Sequence, residues 1–186
     1  SAAIERAAHS LRAFRQDQAT ARDLTPLQLE LLLQLCLTEE SRPRAARLAQ
    51  RLDLAPPTVS SALATLEIKG LVKRRRNATD RRSSVVTATA AGAAIARSVA
   101  SETGLIDALS ELDHDDRATT LAALLEVIAS FHRRGIVAVA RMCLSCNFMV
   151  DGTSRRCTLL DIALPDDSLR VDCPEFEPRA RASWAQ

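Results

Sequence analysis

Four of the five cysteines, Cys143, Cys146, Cys157 and Cys173, stand close together near the C-terminal end, spaced C-x2-C-x10-C-x15-C. Two thiolates separated by two residues can converge on one metal ion, and two more complete a tetrahedral set. Turn residues lie between them: Asn147, Asp151-Gly152, Pro165-Asp166 and Pro174. Phe148, Met149, Val150, Leu159, Leu160 and Ile162 offer a small apolar shell. So short a segment needs a staple to fold. Two centres suit the spacing. Structural zinc usually takes two C-x2-C knuckles, and only one is present. Iron–sulfur sites take one such pair plus scattered cysteines, with a final ligand sometimes followed by Pro, as Cys173 is. The spacing leans to the cluster, zinc stays open, and a metal-free disulfide switch is the third option.

A second chemical feature is charge. Half of residues 71–82 are Lys73, Arg74, Arg75, Arg76, Arg81 and Arg82. The net charge of the whole chain is only +2, so this local concentration, and not the global balance, argues for a polyanionic partner.

The elements that must position these groups are mostly helical. Apolar residues make up 47% and aromatic ones 3% of 186 residues, with few Gly and Pro, which favours helices. Ile4, Ala7, Ala8, Leu11 and Phe14 mark a helix over 2–19. Thr25 caps a second, with Pro26 in its first turn and "LQLELLLQLCL" apolar nearly all round. Within it Cys36 reads as packing. A third short helix follows Pro43. Pro56 and Pro57 open a fourth, with Val59, Leu63 and Leu66 on one side. Thr58, Ser61 and Thr65, all small and polar, line another side, and Gly70 ends the helix. "LVKRRR" and "SVVTATA" around the charged loop "NATDRRS" predict a β-hairpin. Two longer helices are expected over 89–112 and 114–140. The second carries Leu121, Leu124, Leu125, Ile128, Phe131 and Ile136.

Helix, turn, helix and basic hairpin make a winged helix-turn-helix. Short side chains let the fourth helix approach base edges in a major groove, where Thr58, Ser60, Ser61 and Thr65 bring hydroxyl groups. The hairpin arginines would neutralise phosphates or enter a minor groove. "PTVSSALATLEIKGLVKR" and "DRRSSVVTATAAG" resemble the multiple-antibiotic-resistance-regulator (MarR) family of winged-helix transcription factors. Thr58, Val59, Ser60, Leu66, Glu67, Gly70, Leu71, Val72 and Arg74 match the first half of its pattern. Asp80, Arg82, Val86, Thr89 and Gly92 match the second, and Ala88 replaces a usual Leu.

The resemblance covers about 1–140. It implies a mainly α fold with a small hairpin, and a homodimer whose terminal helices interlock. Recognition helices would lie in successive major grooves of a pseudo-palindromic duplex. It also implies that Arg82 reaches the minor groove while Asp80 orients the wing. Ser61 and Thr65 stand where the family often has Arg, which shifts affinity toward the wing. The expected division is 1–140 for DNA binding and dimerisation, 141–178 for the cysteine module, and 179–186 for a tail.

The function this predicts is a DNA-binding regulator, a repressor, tuned by metal or redox state at the cysteines. Its alternative is a regulator with a structural zinc and a small-molecule effector. A cysteine-based redox protein and a DNA-free adaptor are the readings from other classes. Neither suits the helical pattern and the arginine-rich hairpin. His9, His114 and His132 lack partners at ligand spacing, and the "DHDD" run at 113–116 reads as a helix cap, so no enzyme is expected. No apolar run approaches the length needed to span a bilayer, and the N-terminus is not read as a signal peptide, so the cytosol is the expected compartment. Thiols stay reduced there, which favours ligands over disulfides.

Overall fold

A computed structural model describes residues 2–37, 44–76, 84–102, 104–137, 141–152 and 154–179. It divides into two compact units, Ser1–Thr103 and Gly104–Gln186.

The first unit runs α1 (Ala2–Thr20), α2 (Pro26–Leu37), α3 (Ala45–Arg51), α4 (Pro56–Ile68), β1 (Val72–Arg76), β2 (Ser84–Ala88) and α5 (Ala90–Ala100). Helix α2 is its hub, touching α1, α4, α5 and β2. Its run of leucines explains this, because Leu29, Leu31, Leu32 and Leu33 are all buried, as expected for a helix apolar nearly all round. A reciprocal cap starts it: the Gln28 N–H donates to Thr25 Oγ1, and the Thr25 N–H donates to Gln28 Oε1. Val59, Leu63 and Leu66 of α4 enter the same core fully buried. The turn from α3 to α4 carries Asp53 at φ +53, and the Leu54 N–H closes it on the Ala49 carbonyl. Strands β1 and β2 pair antiparallel, Val72 opposite Ala88 and Arg76 opposite Ser84, and Arg44 bridges to Val85.

The hairpin is tied at its base. The Thr89 hydroxyl donates to the Gly70 carbonyl at 2.8 Å and accepts from the Gly92 N–H at 3.1 Å. The Thr89 N–H reaches the Leu71 carbonyl at 3.0 Å. An Arg22–Glu102 ion pair, with Gln18 donating to the same carboxylate, joins the end of α1 to the residues after α5.

The second unit holds α6 (Gly104–Ser110), α7 (His114–Arg133) and a small antiparallel sheet. Its strands are β3 (Met149–Val150), β4 (Arg156–Cys157) and β5 (Ile162–Ala163), in that order. The expected helix over 89–112 is two helices: α5 ends at Ala100 with Ser101 as its cap, and α6 starts at Gly104. The expected 114–140 helix stops at Arg133. Gly135 at φ +72 closes it, and the Ile136 N–H reaches back to the Phe131 carbonyl. Asp113 caps its start, accepting from the Asp116 N–H at 2.8 Å.

The two compact units meet in sequence at 103/104. Ala122, Leu125 and Ala129 of α7 share one core with Met142, Cys143, Leu144, Cys146, Met149, Leu164 and Leu169. The cysteine segment therefore packs on α7 in one shared core.

Candidate functional site

Helix α4 presents its polar face as the 3.6-residue period requires: Thr58, Ser60 and Ser61 are exposed, opposite the buried Val59, Leu63 and Leu66. Thr65 is half-buried, and its hydroxyl donates to the Ser61 carbonyl at 3.2 Å. The one donor of Thr65 is thus engaged within the helix, which leaves its hydroxyl oxygen as an acceptor.

Strand β1 alternates. Val72 is buried and Arg74 half-buried on one face, while Lys73 and Arg75 are exposed on the other. The Arg74 guanidinium turns to α4. Its Nη2 donates to the Ser60 carbonyl at 2.6 Å, and its Nε lies 3.7 Å from Glu67 Oε2. The Arg74 main-chain N–H donates to Glu67 Oε1 at 3.2 Å. The period-2 pattern of "VKRRR" carried this signal, since it puts Arg74 on the face of Val72. Asp80, Arg81 and Arg82 lie outside the described residues, as does the side chain of Arg76.

In the second unit all four cysteines are free thiols. Cys143 and Cys146 are buried in the shared core, and Cys157 packs against it. Backbone ties gather the segments that bear them. The Cys143 N–H donates to the Arg170 carbonyl, and the Cys173 N–H donates to the Arg141 carbonyl. Cys157 pairs with Met149 across the sheet, and Cys146 bridges to Pro178. Burial pushes the Cys173 thiol above its ordinary range, reinforced by the side chains of Glu175 and Cys143.

One main-chain amide reaches a thiol, and two arginines are tied to the backbone of the cysteine-bearing segments. The Arg170 N–H donates to Cys143 Sγ at 3.3 Å, and Arg179 reaches the Met149 carbonyl at 2.6 Å. Arg141 donates to the Cys173 carbonyl and lies over the Phe176 ring at 5.8 Å. The four cysteines are of the donor type that a thiolate-bound centre uses. The side chains as placed do not close on one point: among the described residues no group of three or more His, Cys, Asp or Glu is arranged to hold a metal ion. Cys36, half-buried in the first unit, packs against its core as expected, and burial raises its thiol too. His114 Nε2 lies 3.3 Å from Asp167 Oδ2, a contact that its sequence neighbourhood did not reveal.

Residues 22–83 match the family model described as "MarR family". The fold is shared with solved structures of two proteins. The S. aureus MepR–DNA complex is 23% identical, with TM-score 0.60 over 70% of this chain and 96% of that one. S. aureus MepR in its DNA-binding conformation gives TM-score 0.62 at 22% identity, over 70% and 97%. Apo wild-type MarR from E. coli gives TM-score 0.55 at 23% identity, over 67% and 93%. No curated protein matches the chain by sequence. The chain therefore has the winged-helix fold of MarR-like proteins, mostly helical with one small hairpin in its first unit. Among the described residues no helix is long and apolar enough to cross a membrane.

Proposed function

We propose that this chain is a MarR-type transcription regulator that binds double-stranded DNA as a homodimer and represses by occupying its operator. Helix α4 enters the major groove with Thr58, Ser60 and Ser61 facing base edges, and Lys73 and Arg75 of β1 approach the phosphates. The observation that carries the reading is the exposed hydroxyl face of α4 beside those two exposed cations. It stands on a fold shared with a protein solved in complex with DNA. Dimerisation is supported by an unpartnered face of α7: Leu124, Ile128 and Phe131, at i, i+4 and i+7, are 47%, 38% and 43% exposed. Ile4 and Leu11 of α1 are exposed as well.

Selection of duplexes from a random-sequence pool tests this. The expected result is enrichment of a pseudo-palindrome, with affinity falling steeply as salt rises. A chain that stays monomeric and retains no duplex at low ionic strength refutes it.

A second reading concerns the thiols. We infer that Cys143, Cys146, Cys157 and Cys173 hold either an iron–sulfur cluster or a zinc ion. Four free thiols support it, three of them in or against one small core and the fourth, Cys173, tied by its N–H to the Arg141 carbonyl. A cluster would supply a redox-sensitive input, whereas zinc would supply a rigid cross-link and leave the input to a small effector. Metal analysis after anaerobic purification separates the two: visible absorbance with iron and sulfide means the cluster, and a colourless protein with about one zinc per chain means the staple. Cys143→Ser and Cys173→Ser should each lose the metal. Protein purified free of metal, with thiols that bind neither, refutes the inference.

A further inference from the structure

Among the basic side chains of the hairpin that the structure describes, one is turned inward. Arg74 lies along α4 between Ser60 and Glu67, which are seven residues and about two helical turns apart. The Glu67 carboxylate meets it twice, one oxygen taking the main-chain N–H at 3.2 Å and the other lying 3.7 Å from Nε. The Nε atom is itself buried and makes no hydrogen bond. The Arg74 side chain is 23% exposed and that of Glu67 44%.

To meet a phosphate, Arg74 would have to leave the Ser60 carbonyl and expose an uncompensated Glu67 carboxylate beside the DNA. Both changes oppose binding, since a charge-assisted hydrogen bond is lost and a like charge is presented to the polyanion. Lys73 and Arg75, on the opposite face, incur neither penalty.

We propose that Glu67 and Arg74 form a clamp that sets the wing strand at a fixed offset from the recognition helix, making both of them positioning residues of the DNA site. The proposal rests on the DNA-binding reading above. Its physical content is that α4 and β1 must engage one duplex together, in adjacent features separated by a fixed distance. A wing free to shift along α4 would lose that coincidence even if every phosphate-binding cation remained. An acidic residue thereby assists binding to a polyanion.

Two measurements on the full chain test this, using a duplex recovered by the wild-type protein from a random pool. The first is affinity against salt for Glu67→Gln, Arg74→Gln, the double variant, Lys73→Gln and Arg75→Gln. Lys73→Gln and Arg75→Gln should each weaken binding and reduce the salt slope by about one. Glu67→Gln and Arg74→Gln should each weaken binding roughly threefold to tenfold with the slope retained, and the double variant should be no weaker than either single one. Glu67→Gln that binds as tightly as wild type or tighter, or Arg74→Gln that loses a full unit of slope, overturns the clamp.

The second measurement needs no DNA. Amide exchange at Val72–Arg76 and Ser84–Ala88 should quicken in both single variants while the α2 core stays protected. Unchanged exchange in those strands overturns the clamp whatever the DNA result. Wild-type protein that binds no duplex at all removes the DNA-binding reading and, with it, the positioning role. Quickened exchange would then report only a structural strap.

Discussion

Replacing Gly92 with Ala puts one methyl group where the base of the hairpin meets α5. The new Cβ would sit 2.1 Å from the Leu71 carbonyl oxygen and 3.1 Å from both the Leu71 carbonyl carbon and Leu32 Cδ2. Real Cβ contacts essentially never fall under 3.0 Å, so the helix or the carbonyl must retreat by almost an ångström. The carbonyl is not free to move, because it already accepts the Thr89 N–H at 3.0 Å. Overpacking of this kind costs about 1–3 kcal/mol, and weakening one backbone hydrogen bond adds about 1. Alanine's better helix propensity offsets about 1 kcal/mol. The expected net loss is therefore about 1–3 kcal/mol, a drop of roughly 5–20 °C in the melting of a domain this size.

Gly70 is the matched control. Nothing lies within 4 Å of its Cβ position, but its φ is +70. There the penalty is in the backbone alone, about 1 kcal/mol, and Gly70→Asn should recover part of it because Asn tolerates left-handed φ. Gly92→Asn should recover nothing. Denaturation followed by circular dichroism reads both series. A Gly92→Ala protein that melts with wild type would refute the tight junction between Leu71 and α5.

Other outcomes follow from named contacts. Hydrogen bonds from Arg22 and then Gln18 hold the Glu102 carboxyl below its usual range. A depressed carboxylate stabilises the fold above its unfolded pKa and loses that contribution as pH falls through the folded value. Glu102→Gln should accordingly lower stability at neutral pH, converge with wild type in acid and so flatten the acid limb of the stability–pH curve; an unaltered acid limb counts against the ion pair. Leu125→Ala empties a side chain that is 1% exposed and should cost about 2–5 kcal/mol. Amide protection around Cys143–Cys146 should fall with it, and protection lost on α7 alone would separate the two halves of that core. Phe131→Glu should raise the dimer dissociation constant by at least about tenfold in sedimentation equilibrium, since a charge cannot be buried unpaired in an apolar contact. Unchanged association would move the interface off α7.

Some of this architecture is legible from residue order and some is not. The role of α4 is legible because Val59, Leu63 and Leu66 repeat at helical spacing, and the same period puts Thr58 and Ser61 outside. The caps at Thr25 and Asp113 are legible because short polar side chains before an apolar run have one best use. On α7 the period is ambiguous. Leu124, Ile128 and Phe131 form the stronger stripe, yet the buried one is Ala122, Leu125 and Ala129. Small residues bury where another segment approaches closely, and that segment begins only at Met142. The break between α5 and α6 is hidden for a related reason: an Ala-rich run carries little helical phase. By residue type alone Arg74 is one more cation of the hairpin. Strand alternation sets it apart from Lys73 and Arg75, but only the position of Glu67 reveals what it grips.

The shared core of α7 and the cysteine segment bears on how the protein is made. The Ser1–Thr103 unit has all its core partners once α5 has left the ribosome, so it can mature while translation continues. Helix α7 emerges next with Ala122, Leu125 and Ala129 still uncovered, and it must wait for Leu164 and Leu169 before that stripe is shielded. During this interval the nascent chain exposes both sides of α7, the one destined for its own C-terminal strands and the one we assign to a sister subunit. Slow synthesis through residues 140–170 would lengthen that exposure and favour wrong partners.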